Sequence, residues 1–511
     1  MSERPKTEPN RDHSAETRPA SPAAPVRLDH KAIRAIMIGI LLAMFLSALE
    51  QTIVAPALPT IGRTFNDVGN LSWVVTAYLL ANTAMTPLFG KLSDIYGRRW
   101  MMLAAIAIFI AGSVACALAP SMPALIVART LQGIGGGGIL PIAQTVIGDM
   151  VTPLERARYQ SYTAIMFMLA SVIGPVIGGV MTDHLHWTLI FWINLPLGLV
   201  ALWMTDRALR QLPRNERPHR LDVAGALLMV LASLALMLVM TWGGQRYGWT
   251  SWPILGLLVA AVALWLLFAL RIATAPEPFI PLAVLREPVV APVAVAGFFS
   301  VGTVIGLTIF LPVYFELVLG LTPSGSGTAL IVFLAGTVSG ATTAGRMMVR
   351  VAHYKRIPIG ALVLGIAVLT VLAWMPGGLP LPAVGALLFA GGASLGVMYP
   401  ITTTMVQNAV PAHQLGIATG ALNFARQLGG AMIVAAFGAI VLGGVDAGGH
   451  AVTLESLRGG GALVRADFAK VFGLLFAAGA VFLAAGLIAM LRVEERPLRG
   501  PRSKAPPAAT E

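Results

Sequence analysis

Long aliphatic runs separated by short polar breaks repeat along the chain from residue 33 to residue 492. Setting each run against its breaks predicts fourteen segments. Their approximate limits are 33–57, 70–89, 100–120, 122–148, 158–182, 188–206 and 221–243, then 252–272, 289–317, 325–348, 357–375, 380–404, 415–442 and 470–492. Most approach or exceed the roughly 20 residues that a helix needs to cross the hydrocarbon of a bilayer. Stretches such as Ala35–Leu49, Met101–Ala119 and Val471–Leu491 are unbroken. They lack the apolar and polar alternation over about 10 residues that marks barrel strands. The pattern predicts an all-α integral membrane protein, with its least distinct break at Pro120–Pro123.

Composition agrees. Only 11% of the 511 residues are charged and mean hydropathy is +0.79, whereas a soluble domain carries roughly 25% charged residues to suit water. The exterior must face lipid. The net charge of +12 does not mark a nucleic-acid partner, because the basic residues sit in short clusters between apolar runs. Most of the 35 Lys and Arg fall on one set of alternate connections and on both tails, while the opposite set carries Arg63, Arg246, Arg458, Arg465 and Lys470. By the positive-inside rule both termini are cytoplasmic, which requires an even number of spans. Cys116 is the single cysteine and lies in an apolar run, so no internal disulfide or cysteine metal cluster is expected. The polar stretch 1–32 has no apolar core; it reads as a disordered cytoplasmic tail rather than a signal peptide, with a second tail at 493–511.

A weak repeat divides the chain. Gly90–Arg99 (GKLSDIYGRR) and Gly345–Arg356 (GRMMVRVAHYKR) both follow a helix with glycine and then basic residues, eight spans apart. That offset predicts a six-helix bundle at 33–206, a linker with two additional transmembrane helices at 207–288, and a second six-helix bundle at 289–492. Repeated bundles flanking a midplane site are the plan of secondary transporters.

Arg129 and Arg426 are cations within spans, and of the charged residues inside the apolar runs Glu50 and Arg129 are the most informative. Glu50 lies roughly 22 Å along the first span at 1.5 Å per residue. A carboxylate there is costly to keep charged, which makes it a candidate proton carrier; a side chain reaching interfacial water near Pro56 and Pro59 is the other reading. Arg129 enters the fourth span from the opposite direction and reaches a similar depth, about 10 Å from the outer face. The two can pair, or Arg129 can serve only to hold helices together through backbone carbonyls. Gly133–Gly138 (GIGGGG) is mid-membrane and has no following Lys-Ser/Thr, so it is not a phosphate loop. No paired catalytic carboxylates, metal-ligand cluster or Ser–His arrangement points to an enzyme. A non-transporting receptor would bind ligand without flux.

Six motifs occur in order: LEQTIVAPALPTI (Leu49–Ile61), GKLSDIYGRR (Gly90–Arg99), RTLQGIGGG (Arg129–Gly137), GPVIGG (Gly174–Gly179), FWINLPLG (Phe191–Gly198) and ALNFARQLGG (Ala421–Gly430). Together they resemble the major facilitator superfamily, and within it the fourteen-span drug:proton antiporters of the EmrB/QacA type. The resemblance implies the major facilitator fold in a cell (inner, cytoplasmic) membrane. It implies proton-coupled efflux of small amphipathic or cationic drugs, or alternatively of one metabolite such as a siderophore, antibiotic or fatty acid. It implies no cofactor, the proton gradient being the energy source. It implies a chain that functions as a monomer, with a periplasmic adaptor as a candidate partner because some relatives require one.

Residue by residue, the resemblance gives Glu50 and Arg129 to proton coupling. Gly90, Asp94, Gly97, Arg98 and Arg99 belong to a cytoplasmic gate in which Asp94 faces the helix beginning near Gly416. Gly174, Pro175, Gly178 and Gly179 form the antiporter motif, a tight and kinked seam against leak. Aromatic walls with a few polar groups suit flat amphipathic ligands, and nominate Trp73, Gln132, Trp192, Tyr314, Glu316 and Asn423 as substrate-binding; helix packing competes for the aromatic ones. The chain departs from the family in places. Trp187-Thr188-Leu189 lacks the arginine expected before the FxIN motif, Val349 stands where the first half has Asp94, Glu316 replaces a common glutamine, and Glu50 replaces the more frequent Asp.

Overall fold

The computed structural model describes residues 30–67, 70–210, 222–244, 246–351, 353–446 and 462–498. The tail expected at 1–32, apart from residues 30–32, and the tail beyond residue 498 lie outside the described residues.

Among the described residues every named element is helical. The first half contains α1 (His30–Ile53), α2 (Leu58–Phe65), α3 (Leu71–Tyr96), α4 (Arg98–Ala117), α5 (Met122–Met150), α6 (Pro153–His184), α7 (Leu189–Trp192) and α8 (Asn194–Leu209). Then come α9 (Val223–Trp242), α10 (Trp252–Thr274) and α11 (Leu282–Leu285). The second half contains α12 (Val290–Leu317), α13 (Pro323–Arg350), α14 (Arg356–Trp374), α15 (Leu381–Ala409), α16 (Leu415–Asp446) and α17 (Ala462–Leu491).

Among the described residues thirteen spans are both long and apolar enough to cross a membrane. The remaining predicted span, 70–89, corresponds to α3, which has 26 residues and the length to cross. Its hydropathy is diluted by Asn82, Thr83 and Thr86, all buried. Those groups face protein rather than lipid, so a polar span costs little here.

Local chemistry sets the breaks. The first span ends earlier than its apolar run, at Ile53, because Pro56 sits in a 3₁₀ turn over Ala55–Ala57 and proline cannot donate a helical hydrogen bond. Helix α2 then runs to Asn66, whose φ of 50° closes it in the left-handed region. The break at Pro120–Pro123 is real: Ser121 Oγ accepts from the Ala124 amide at 3.4 Å and caps α5. Gly97, at φ 89°, turns the chain from α3 into α4 in a conformation that a side chain would strain.

Each half packs as a bundle, α1, α3, α4, α5, α6 and α8 in one and α12–α17 in the other. The halves meet along two seams, α3 against α16 and α6 against α13 and α15. The α9–α10 pair lies beside the first seam, touching α3 and α16. Its outer face exposes Val259, Val262, Leu266 and Leu270, with Val259 69% accessible, an apolar stripe that only lipid can cover. Asp222 anchors this pair. Its carboxylate accepts from the Gly225 amide (3.0 Å), Arg271 Nε (3.0 Å) and the Phe279 amide (3.3 Å). Burial works to raise the Asp222 pKa, but these donors outweigh it and hold the carboxyl below its ordinary range.

Candidate functional site

Glu50 sits one turn before the end of α1, fully buried, and forms an ion pair with Arg129 of α5. Three helices complete its surroundings. Asn194 Nδ2, at the start of α8, donates to Glu50 Oε2 at 2.5 Å and to Ser113 Oγ of α4 at 3.3 Å. Arg129 Nε donates to the Val74 carbonyl of α3 (2.8 Å), and Nη1 donates to Gln132 Oε1 (2.7 Å). Gln132 Nε2 then donates to Ser113 Oγ at 2.7 Å. The guanidinium lies 4.5 Å over the Tyr78 ring, a cation–π contact that strengthens away from water. Both carboxylate oxygens are therefore occupied, one by a cation and one by an amide. Asn194 Oδ1 is a buried acceptor with no partner among the described residues. The charge, its counter-charge and a reversible donor meet in one dry spot inside the first half.

The second constellation lies at the end of the bundle where α3 stops. Asp94 accepts from the Gly416 amide (3.0 Å) and the Ile417 amide (2.8 Å) at the start of α16. It also accepts from Arg98 Nη1 at 2.5 Å. A carboxylate at a helix N-terminus gains from the unpaired amides and the helix dipole. Arg98 ties the same spot to Asp149 of α5 (2.9 Å) and to Ser93 (2.8 Å). The backbones touch beside it: a Cβ on Gly90 would come 2.5 Å from the Gly416 carbonyl oxygen. Arg99 points elsewhere and pairs with Asp206 of α8 within the same half.

A polar seam continues inward from this latch. Arg156 donates to the Gln407 carbonyl of α15 (3.0 Å), and Gln407 Nε2 to the Gln144 carbonyl (3.0 Å). Asn423 Nδ2 reaches Gln144 Oε1 at 2.6 Å, while Thr83 and Thr86 bond Gln427 at 2.9 and 3.1 Å. Arg426 is 2% exposed, and its partners among the described residues are neutral: Asn423 Oδ1, the Tyr399 carbonyl, Thr402 and Thr403. Its guanidinium stands 4.3 Å from the Tyr399 ring.

The nominated substrate residues do not form one wall. Gln132 joins the Glu50 cluster and Asn423 joins the polar seam. Trp73 stacks edge-on against Trp242 of α9, and Trp192 is half-buried in α7. Tyr314 is fully buried among Phe472 and Phe476 and donates to the Pro376 carbonyl at 2.6 Å. Glu316 is exposed at the far end and accepts from Ser326 at 3.0 Å. Within the GPVIGG motif, Gly174 and Gly178 let α6 press against Thr52 and Ile53 of α1, closer than any Cβ would allow. Pro175 and Gly179 lie on the other face of α6, where Pro175 is exposed and a Cβ on Gly179 would meet open space.

Comparison with known proteins decides the family. Residues 40–434 match the Major Facilitator Superfamily model. The chain belongs to the major facilitator superfamily. It is 34% identical over 408 residues to the multidrug transporter protein MdtP of Bacillus subtilis, covering 80% of this chain and 75% of that one. It is 29% identical over 413 residues to multidrug resistance protein 3 of the same organism, covering 79% of each. The fold also matches the crystal structure of the human organic anion transporter MFSD10, with a TM-score of 0.61 at 16% identity over 88% of this chain and 99% of that one. As a member of this superfamily the chain is a multi-pass membrane transporter.

Two buried groups of this transporter had weaker sequence signals. Asn194 belongs to the FWINLPLG motif, yet nothing in its spacing announces a bond to Glu50, more than a hundred residues away. Arg426 stands out in sequence as a cation inside a span, which marks a functional candidate by itself, but of its neutral partners only Asn423 shares its motif, while Tyr399, Thr402 and Thr403 come from α15.

Proposed function

We propose that this transporter is a proton-coupled exporter of small amphipathic or cationic drugs, working by alternating access in the cytoplasmic membrane. The observation that carries the reading is the sealed Glu50–Arg129 pair with Asn194 on its free carboxylate oxygen. Family relatives named as multidrug transporters support the direction and the class of cargo. Protonation of Glu50 cancels its charge, which weakens its hold on Arg129 and removes the attraction for a cation. A flip of the Asn194 amide then presents an oxygen to the new O–H, so both protonation states have a hydrogen-bonding partner. Cargo and proton thus compete for one carboxylate, and the α3–α16 latch separates the two faces between which they exchange.

Dye efflux from cells expressing the protein tests this reading. Ethidium should leave rapidly, and a protonophore should stop its exit without lowering ATP-driven transport in the same cells. Efflux that persists unchanged with the gradient collapsed contradicts proton coupling. Failure of chemically unrelated dyes to compete would turn the reading toward one dedicated metabolite.

A further inference from the structure

The α6–α13 seam carries a feature that coupling and gating leave unused. A cavity of about 360 Å³ opens between the halves at the Asp94 end, lined by Arg158 and Tyr162 of α6 and by Arg346 and Arg350 of α13. The three arginines are exposed, and none forms an ion pair with a described residue. The nearest acid in sequence, Glu155, is turned away: its carboxylate accepts from the Thr152 amide and hydroxyl that begin α6. Asp149 and Asp206 are engaged by Arg98 and Arg99. Three guanidinium groups therefore share a concave pocket with no acidic side chain in its lining.

Immediately beside it runs a second cavity of about 590 Å³, between Ile33–Leu41 of α1 and the tyrosines of α6. Its walls are mainly apolar, from Met37, Ile38 and Leu41, with Arg34 at its rim. Tyr162 lines both cavities, so the basic pocket and the apolar groove adjoin across one side chain. Ile38, in the wall of the groove, is 50% exposed, and Met347, beside Arg346, is 41% exposed, so exposed apolar side chains flank both cavities.

We propose that the two cavities form one binding site for an anionic phospholipid. Its phosphodiester sits among Arg158, Arg346 and Arg350, and an acyl chain lies in the α1–α6 groove. Guanidinium groups bind phosphate oxygens in charge-assisted, often bidentate bonds, and basic pockets between helices at a membrane surface suit anionic head groups. A soluble anion would use the arginines alone and leave the apolar groove without a role. Because Arg158 and the Arg346–Arg350 pair belong to opposite halves, one bound head group bridges them. The site therefore favours the arrangement in which this seam is closed.

Thermal unfolding of the purified protein in detergent tests the site, with cardiolipin, phosphatidylglycerol, phosphatidylcholine or inorganic phosphate added separately. The two anionic lipids should raise the unfolding temperature saturably, phosphatidylcholine and phosphate should not, and native mass spectrometry should detect retained anionic lipid. In the Arg158→Gln/Arg346→Gln/Arg350→Gln variant the apparent affinity for cardiolipin should fall about tenfold or more. The exposed positions leave its stability in phosphatidylcholine unchanged. The corresponding triple Lys variant, which keeps the charge but not the bidentate geometry, should recover part of the affinity. An equal shift with phosphatidylcholine, the same shift with phosphate alone, or an unaltered response in the triple Gln variant would overturn the proposal.

Discussion

Replacing Asp94 with Ala should open the latch end of the transporter. Two of the bonds to this carboxylate cross between the halves, from the Gly416 and Ile417 amides. The side chain is only 4% exposed, so solvent screening does not erase their worth. Hydrogen bonds to a charged group contribute about 1.5–3 kcal/mol each, and the dipole of α16 adds about 0.3–1 kcal/mol. Taking the low end, the closed arrangement loses about 3 kcal/mol, or roughly a hundredfold in the open-to-closed ratio. A gate closed about 99 times in 100 would become roughly evenly divided. Spin labels on cysteines introduced at the exposed Arg210 and Arg492 report this distance across the halves, and the native Cys116 is fully buried and stays unlabelled. Electron-electron resonance should show a single short distance in the parent and a second, longer one in Asp94→Ala, with Asp94→Asn between them. An unchanged distance distribution in Asp94→Ala would refute the argument that this carboxylate holds the gate.

Gly90→Val should give the same long-distance population with Asp94 intact, because its Cβ would come 2.5 Å from the Gly416 carbonyl; a closed distribution contradicts the close contact. Glu50→Gln should lower stability by about 3 kcal/mol by stranding the Arg129 charge in a dry site. Adding Arg129→Gln should recover part of that loss, and strictly additive unfolding energies would show that the two do not interact. Asp222→Asn should destabilise the α9–α10 pair by about 1 kcal/mol, since its partner Arg271 is 41% exposed and partly screened. The folded pKa of Asp222 lies below the ordinary 3.8, so its contribution is complete above that pH and lost as pH falls through the lower folded value. Parent and Asp222→Asn unfolding curves should therefore converge in acid; a gap that widens on acidification contradicts the sign.

Much of this architecture was legible in the chain because lipid imposes a simple rule on exposed residues. Runs such as Val290–Leu317 and Leu415–Asp446 emerge as helices at nearly their apolar limits. The rule weakens where a helix faces protein. Helix α3 falls short in hydropathy because Thr83 and Thr86 are spent on Gln427 across the seam. Pro56 ends α1 before its apolar run does, and no hydropathy count registers that. Glu50 and Arg129 fall at one level by residue count alone, since 1.5 Å per residue is a reliable ruler in straight helices. Residue count does not reach Asn194 or Ser113, whose approach depends on how α8 and α4 turn about their axes. The connection before α16 carries no Lys or Arg, which left a helix end as the positive partner for Asp94, and the Gly416 and Ile417 amides fill that place. The aromatic nominations show the opposite limit. Residue type cannot separate a cavity wall from a core, and Tyr314 is packed among phenylalanines.

Proton release on cargo binding is the measurement closest to the central claim, that Glu50 exchanges H⁺ for a cationic substrate. The purified protein in lightly buffered detergent, first acidified so that Glu50 carries its proton and then mixed with ethidium in the presence of a pH indicator dye, should release protons in a saturable, substrate-dependent way. The Glu50→Gln variant, shown folded by its unfolding curve, should release none. Equal proton release from Glu50→Gln, or none from the parent while ethidium binds, would contradict the account.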